Sequence, residues 1–192
     1  MVNPIQYSPA LAELLAPELL PPLEPGAPNT SAYAKLKALR IDTAFAPHAI
    51  ADHDMAACCL SGLWLLHSYL DESHKISQEI ETTSGSYWHG LMHRREGDFS
   101  NSKYWFRRVG KHSVFTPLQQ EVARLAAGAK ICEAGFLTSQ SEWDPFAFVD
   151  LCERSLNTQS AAEALCVRIQ RCEWDLLFAH CHAHAVVGQR ND

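Results

Sequence analysis

No uninterrupted apolar run in this chain of 192 residues approaches the roughly 20 needed to cross a bilayer. The opening Met1-Val2-Asn3-Pro4 lacks the basic start and apolar stretch of a secretion signal, so the expected compartment is the cytoplasm, with no membrane partner. Cys-x-x-Cys pairs are also missing. The seven cysteines are odd in number, and Cys58, Cys59, Cys132, Cys152, Cys166 and Cys172 fall mostly inside apolar helical patterns. They read as reduced buried thiols, which excludes a zinc-finger framework, and nothing places a base beside one to make it nucleophilic. An overall basic excess is lacking too: 16 Lys and Arg stand against 22 Asp and Glu, and no recognisable reading motif is present. Nucleic acid is therefore not an expected partner.

What is present suits one buried core. The chain is 47% apolar and 20% charged, close to ordinary globular proteins, and its length needs no disulfide to close a core. Alternating strand segments and internal repeats are lacking, whereas helical spacing recurs. An N-terminal Pro/Leu-rich arm (1–30) has helix-like composition over Ser8 to Leu20 but is interrupted by Pro17, Pro21, Pro22, Pro25 and Pro28. An all-α domain (31–192) follows. Helices are predicted over Ala32 to Ile41, from about Ile50 to Ile80, over Tyr87 to Arg95 and over Phe99 to Val109. Further ones are predicted from Pro117 to Ala134, from Asp144-Pro145 to Leu156 and from Ser160 to about His184. About six helices joined by short turns predict a single helical bundle.

The chemistry is concentrated between Ser86 and His112, most densely from Tyr87 to Gly110. If Tyr87 to Glu96 is helical, His89, His93 and Glu96 project from one side, and His67, Asp71 and His74 repeat that spacing on the preceding helix. Two helices then direct imidazoles and carboxylates at one another. This is how bundles hold zinc, iron or manganese, and a divalent ion is the expected cofactor if these histidines are ligands. The motif is weak on its own, because the zincin glutamate between the histidines is missing and paired Glu-x-x-His repeats are absent. In the structural alternative the histidines only satisfy buried hydrogen bonds. His180, His182 and His184 either complete the site or end a polar helix.

A second feature is basic. Arg94, Arg95, Arg107 and Arg108, beside Tyr104, Trp105 and Asn101, form a candidate wall for a carboxylate or phosphate. The alternative is an internal network in which Arg94 or Arg95 pairs with Glu96, Asp98, Asp71 or Glu72.

The run His89-Gly90-Leu91-Met92-His93-Arg94-Arg95-Glu96-Gly97-Asp98-Phe99, continued by Asn101 and Lys103-Tyr104-Trp105-Phe106-Arg107-Arg108-Val109-Gly110, resembles the signature block of a family of small microbial proteins with no established activity. The resemblance covers about an eighth of the chain and implies where a site lies, not its reaction.

Three functional expectations result. In the first, the chain is an enzyme: His67, His74, His89, His93 and Glu96 are metal ligands, His89, His93, Glu96 and Asp71 are catalytic, and the arginine and aromatic wall holds a small anionic molecule. In the second, the chain binds a small carboxylate or phosphate without turnover. In the third, the leucine-bearing arm docks onto a sister subunit in a homo-oligomer, and the polar block is structural.

Overall fold

The computed structural model describes residues 7–15, 18–129 and 131–187. The opening tetrapeptide and the expected interruption at Pro17 lie outside the described residues. Among these residues there is no β-strand, and no helix is long and apolar enough to cross a membrane.

Eleven α-helical segments replace the expected six or so. They are α1 (Pro9–Ala12), α2 (Thr30–Ala38), α3 (Ile41–Ala44), α4 (His53–Leu66), α5 (Leu70–Ser77), α6 (Thr83–Glu96), α7 (Phe99–Val109), α8 (Phe115–Ala129), α9 (Phe136–Ser139), α10 (Pro145–Ser155) and α11 (Ala161–Ala185). Part of the excess is single turns within connections, since α1, α3 and α9 have four residues each. The rest comes from the expected Ile50 to Ile80 helix, which is two helices. Ser68 adopts a left-handed φ of 62°, which an α-helix cannot continue through. The chain turns there, and α5 starts on a new axis.

Local caps set many boundaries. The side chains of Asp52, Thr82, Asp98, Asp144 and Ser160 each accept a backbone N–H from the first turn of the helix that follows, at α4, α6, α7, α10 and α11. Each satisfies an amide that has no partner within its own helix. Gly97, at φ 86°, closes α6 in the left-handed conformation that glycine adopts without steric cost.

Helix α6 is the axis of the molecule. Every residue from Ser84 to Arg95 is buried, and α4, α5 and α7 pack against it. Close approach depends on small residues: a Cβ at Gly62 of α4 would stand 2.7 Å from the Trp88 ring, and one at Gly85 only 2.4 Å from the Ile80 carbonyl. A helix buried on all sides is expected to be apolar. This one carries His89, His93, Arg94 and Arg95, so each must find a partner inside the protein.

The arm is bound by that requirement. Tyr7, Leu11, Leu14, Leu15 and Leu23 lie in the core, and prolines leave the segment poor in backbone donors. The body supplies them. Arg95 donates to the carbonyls of Glu24 (3.2 Å) and Pro25 (2.9 Å), Gln170 to those of Pro21 (3.2 Å) and Pro22 (3.1 Å), and Arg171 to that of Leu19 (2.8 Å). Of the cysteines expected to be buried, Cys132 is exposed and Cys172 is half-buried; Cys132 sits in a 3-10 turn between α8 and α9.

Candidate metal centre

Helix α5 ends beside the middle of α6, and this brings His74 to His89 and His93. Their ring centroids are 4.6 Å (His74 to His89), 5.4 Å (His74 to His93) and 4.7 Å (His89 to His93) apart. One nitrogen from each lies within 4.8 Å of one from each of the others. His89 and His93 are buried and His74 is half-buried. Burial, followed by the neighbouring His93 and His74 rings, pushes His89 down to about 3. Burial also lowers His93, although the Glu96 carboxylate opposes the shift. At neutral pH both rings are therefore uncharged and carry lone pairs, the form in which imidazole ligates a metal.

The surroundings fix the rings. Nδ1 of His93 lies 2.9 Å from Oε2 of Glu96. A carboxylate only accepts, so Nδ1 carries the proton and Nε2 the lone pair. The Asn101 amide, placed by the Asp98 cap at the start of α7, lies 3.1 Å from that Nε2. Trp105, about one helical turn after Asn101 on α7, stacks on His89 at 3.9 Å and 21°. The Arg108 guanidinium lies 5.2 Å from the Trp105 ring centre. Nδ1 of His89 is buried and has no hydrogen-bond partner among the described residues, which is uncommon for a buried polar atom.

Several expected site residues are elsewhere. His67 is not with the cluster: the turn at Ser68 points it at the arm, where Nε2 lies 2.8 Å from the Leu14 carbonyl and Nδ1 3.0 Å from Asn29 Nδ2. Both nitrogens are engaged, and His67 stands outside the group of three. Asp71 is exposed and stands outside the group of three. Glu96 also stands outside it, holding His93 from behind instead of converging with it.

The arginines do not form a common wall. Successive helical residues diverge by about 100°, so Arg94 and Arg95 leave α6 in different directions. Arg94 pairs with Glu173 of α11 at 2.6 Å, and Arg95 is used on carbonyls of the arm and on Leu65 (3.2 Å). Arg107 and Tyr104 are exposed on α7, with Tyr104 edge-on to Trp105 at 5.5 Å. Only Trp105, Asn101 and Arg108 remain near the histidines. The internal network thus accounts for Arg94 and Arg95, but its acid is Glu173 and not a near neighbour in sequence. Glu173 stands between Ile169 and Leu177 at steps of four on the buried face of α11, and an acid on that apolar stripe was the signal for the partner.

The tail histidines make no part of this centre. His182 packs among Tyr7, Phe45 and His48. His180 lies beside His184 (4.2 Å) and His112 (4.8 Å). His112 in turn contacts Ser84, with Nε2 3.1 Å from Oγ, a pairing the sequence did not disclose. It is not a nucleophile and its base. His112 Nδ1 accepts the Val114 N–H at 3.2 Å, so in the neutral ring Nε2 carries the proton and donates to Ser84.

No family model, curated protein or solved structure matches the chain.

Proposed function

We propose that His74, His89 and His93 hold a divalent transition-metal ion, zinc before iron or manganese, and that the protein is an enzyme acting through it on a small anionic molecule. The observation that carries this reading is the convergence of three imidazoles, two of them buried and kept neutral, on one point between α5 and α6. A donor set of nitrogen without thiolate suits zinc, and three protein ligands leave a position open for water or substrate, the pattern of catalytic sites. Ligation at about 2.0–2.1 Å keeps two nitrogens no more than about 4.2 Å apart, so the present separations of up to 4.8 Å would shorten on binding.

When bound, such an ion supplies Lewis acidity and makes a coordinated water more acidic. The protein's own part is positional. Glu96 fixes the tautomer and orientation of His93. Trp105 covers one face of His89 and keeps water from it. Asn101, whose amide lies against His93 Nε2, would be freed by an ion on that nitrogen and would then offer a donor to substrate. Arg108 beside Trp105 supplies positive charge on this side of the molecule, which favours an anionic substrate.

The test is metal analysis of untagged protein, with competitive zinc titration of the wild type and of His89→Ala/His93→Ala. One zinc per chain, lost in a double variant whose helical circular dichroism persists, is expected. Should the pair disrupt folding, the half-buried His74→Ala serves in its place. Wild-type protein that takes up no zinc, or uptake indifferent to these changes, overturns the metal centre. Turnover of small carboxylic or phosphoric esters that vanishes on chelation and returns with zinc separates an enzyme from a structural metal site.

A further inference from the structure

The last turns of α11 carry two histidines that stand apart from the centre between α5 and α6. We propose that His180 and His184 form a second metal site, open to solvent and exchangeable, for a nitrogen-preferring divalent ion such as nickel or copper, which clamps the end of that helix. This inference does not rest on the first centre.

Four residues apart on one helix, the two side chains share a face. Their ring centres are 4.2 Å apart and the planes are tilted by 39°. An ion about 2.0–2.1 Å from two imidazole nitrogens requires those nitrogens to lie no more than about 4.2 Å apart, and the ring centres already have that spacing.

The other nitrogen of each ring is held. His184 Nδ1 lies 2.8 Å from the His180 carbonyl; a carbonyl only accepts, so Nδ1 carries the proton and Nε2 the lone pair. His180 Nδ1 lies 3.3 Å from Ser113 Oγ, an oxygen able to accept from Nδ1–H while Nε2 takes an ion. A ligating histidine ordinarily donates its second N–H to an oxygen in this way. Burial, followed by His184, pushes His180 down to about 4, so at neutral pH no proton competes for its lone pair. The C-terminal end of a helix of 25 residues adds the negative pole of the helix dipole, which favours a cation.

His112 stands 4.8 Å from His180 without being a third ligand, because Val114 and Ser84 engage its two nitrogens. Two protein ligands leave the other positions to water, an arrangement that copper and nickel accept with imidazole donors. His184 is exposed and His180 half-buried, so the ion exchanges with solution and is held less tightly than by three imidazoles. Its effect follows from its place. The Ala185 carbonyl accepts the Ala51 N–H at 2.7 Å, and Val186 pairs with Ile50 in an antiparallel bridge, so the end of α11 anchors the chain that enters α4. An ion bound across residues 180 and 184 must dissociate before those turns open, and it therefore stabilises them.

The test is equilibrium dialysis of the full chain against nickel, wild type beside His184→Gln, with zinc content followed in both. The wild type is expected to hold one nickel per chain more than the variant, whether or not zinc fills the first centre, which keeps the two results apart. His53→Gln removes an exposed histidine of α4 and should leave nickel uptake unchanged. Hydrogen exchange of residues 180–187, followed by mass spectrometry, should slow about tenfold at nickel ten times its Kd, and should not slow in His184→Gln. Equal uptake by wild type and His184→Gln, or an equal loss in His53→Gln that shows adventitious binding only, would overturn the site. Uptake without slower exchange would overturn the clamp.

Discussion

Arg94 and Glu173 meet at 2.6 Å in the interior, with side chains 1% and 0% exposed. Tyr87 completes the carboxylate with a 2.8 Å hydrogen bond, and the guanidinium lies 4.7 Å from the Phe148 ring centre. Three helices, α6, α10 and α11, are tied through this group. Removing one charge of a buried pair strands the other, at a cost of about 3–5 kcal/mol. Glu173→Ala should lower the unfolding free energy from urea titration by that amount, while Arg94→Met/Glu173→Leu, which removes both charges, should be less destabilised than the sum of the single variants. An additive double variant would show that the two residues do not act as a pair.

The parts of the fold legible in the sequence are those decided locally. Gly97 and Gly110 bracket α7 where expected, Asp144-Pro145 opens α10 and Ser160 opens α11, because capping and φ preference act within a few residues. The break between α4 and α5 was hidden, since distant groups hold it: Asn29 donates its backbone N–H to the His67 carbonyl at 3.0 Å, and Arg95 donates to Ser68 Oγ at 3.1 Å. The same holds for the site. His89 and His93 were readable as steps i and i+4, and His74 lay on the facing stripe. The directions of Arg94 and Arg95 depend on a carboxylate 79 residues away and on proline-flanked carbonyls 70 residues back, and no periodicity carries that information.

His67 offers a direct contrast between a ligand and a structural histidine. Its two nitrogens join the end of α4 to Leu14 and Asn29, so His67→Ala should loosen the arm, leave a buried carbonyl unpaired and cost about 1–3 kcal/mol. Limited proteolysis should then cut within 18–28 before the rest of the chain. Zinc uptake should match the wild type, and its loss in this variant alone would return His67 to the metal centre.

Acid should unfold the metal-free protein by way of its buried and half-buried histidines. Burial, followed by adjacent imidazoles, pushes His89 to about 3 and His112 and His180 to about 4, against about 6.5 in an unfolded chain. Between those limits the unfolded state binds the extra protons, so stability is complete above about pH 6.5 and declines as pH falls towards 4. Urea midpoints measured with chelator present should be level from pH 7 to 8 and drop steadily below 6.5. His112→Asn should flatten part of that slope, and a wild-type midpoint constant down to pH 4.5 would contradict the assignment.

The contact between His93 Nδ1 and Glu96, at 2.9 Å, separates a supporting carboxylate from a ligand. Glu96 is about half exposed, its side chain at 51%, so replacing it should barely change stability. If it orients His93 for an ion, Glu96→Gln keeps the shape, weakens the bond to Nδ1–H and lowers ligand basicity, and zinc affinity should fall about 10- to 100-fold. Removing a direct ligand such as His89 should cost far more. Competition titration of both variants against a chelator of known strength makes the comparison, and Glu96→Gln with unaltered zinc affinity would leave the carboxylate as a surface partner of His93 with no bearing on the metal.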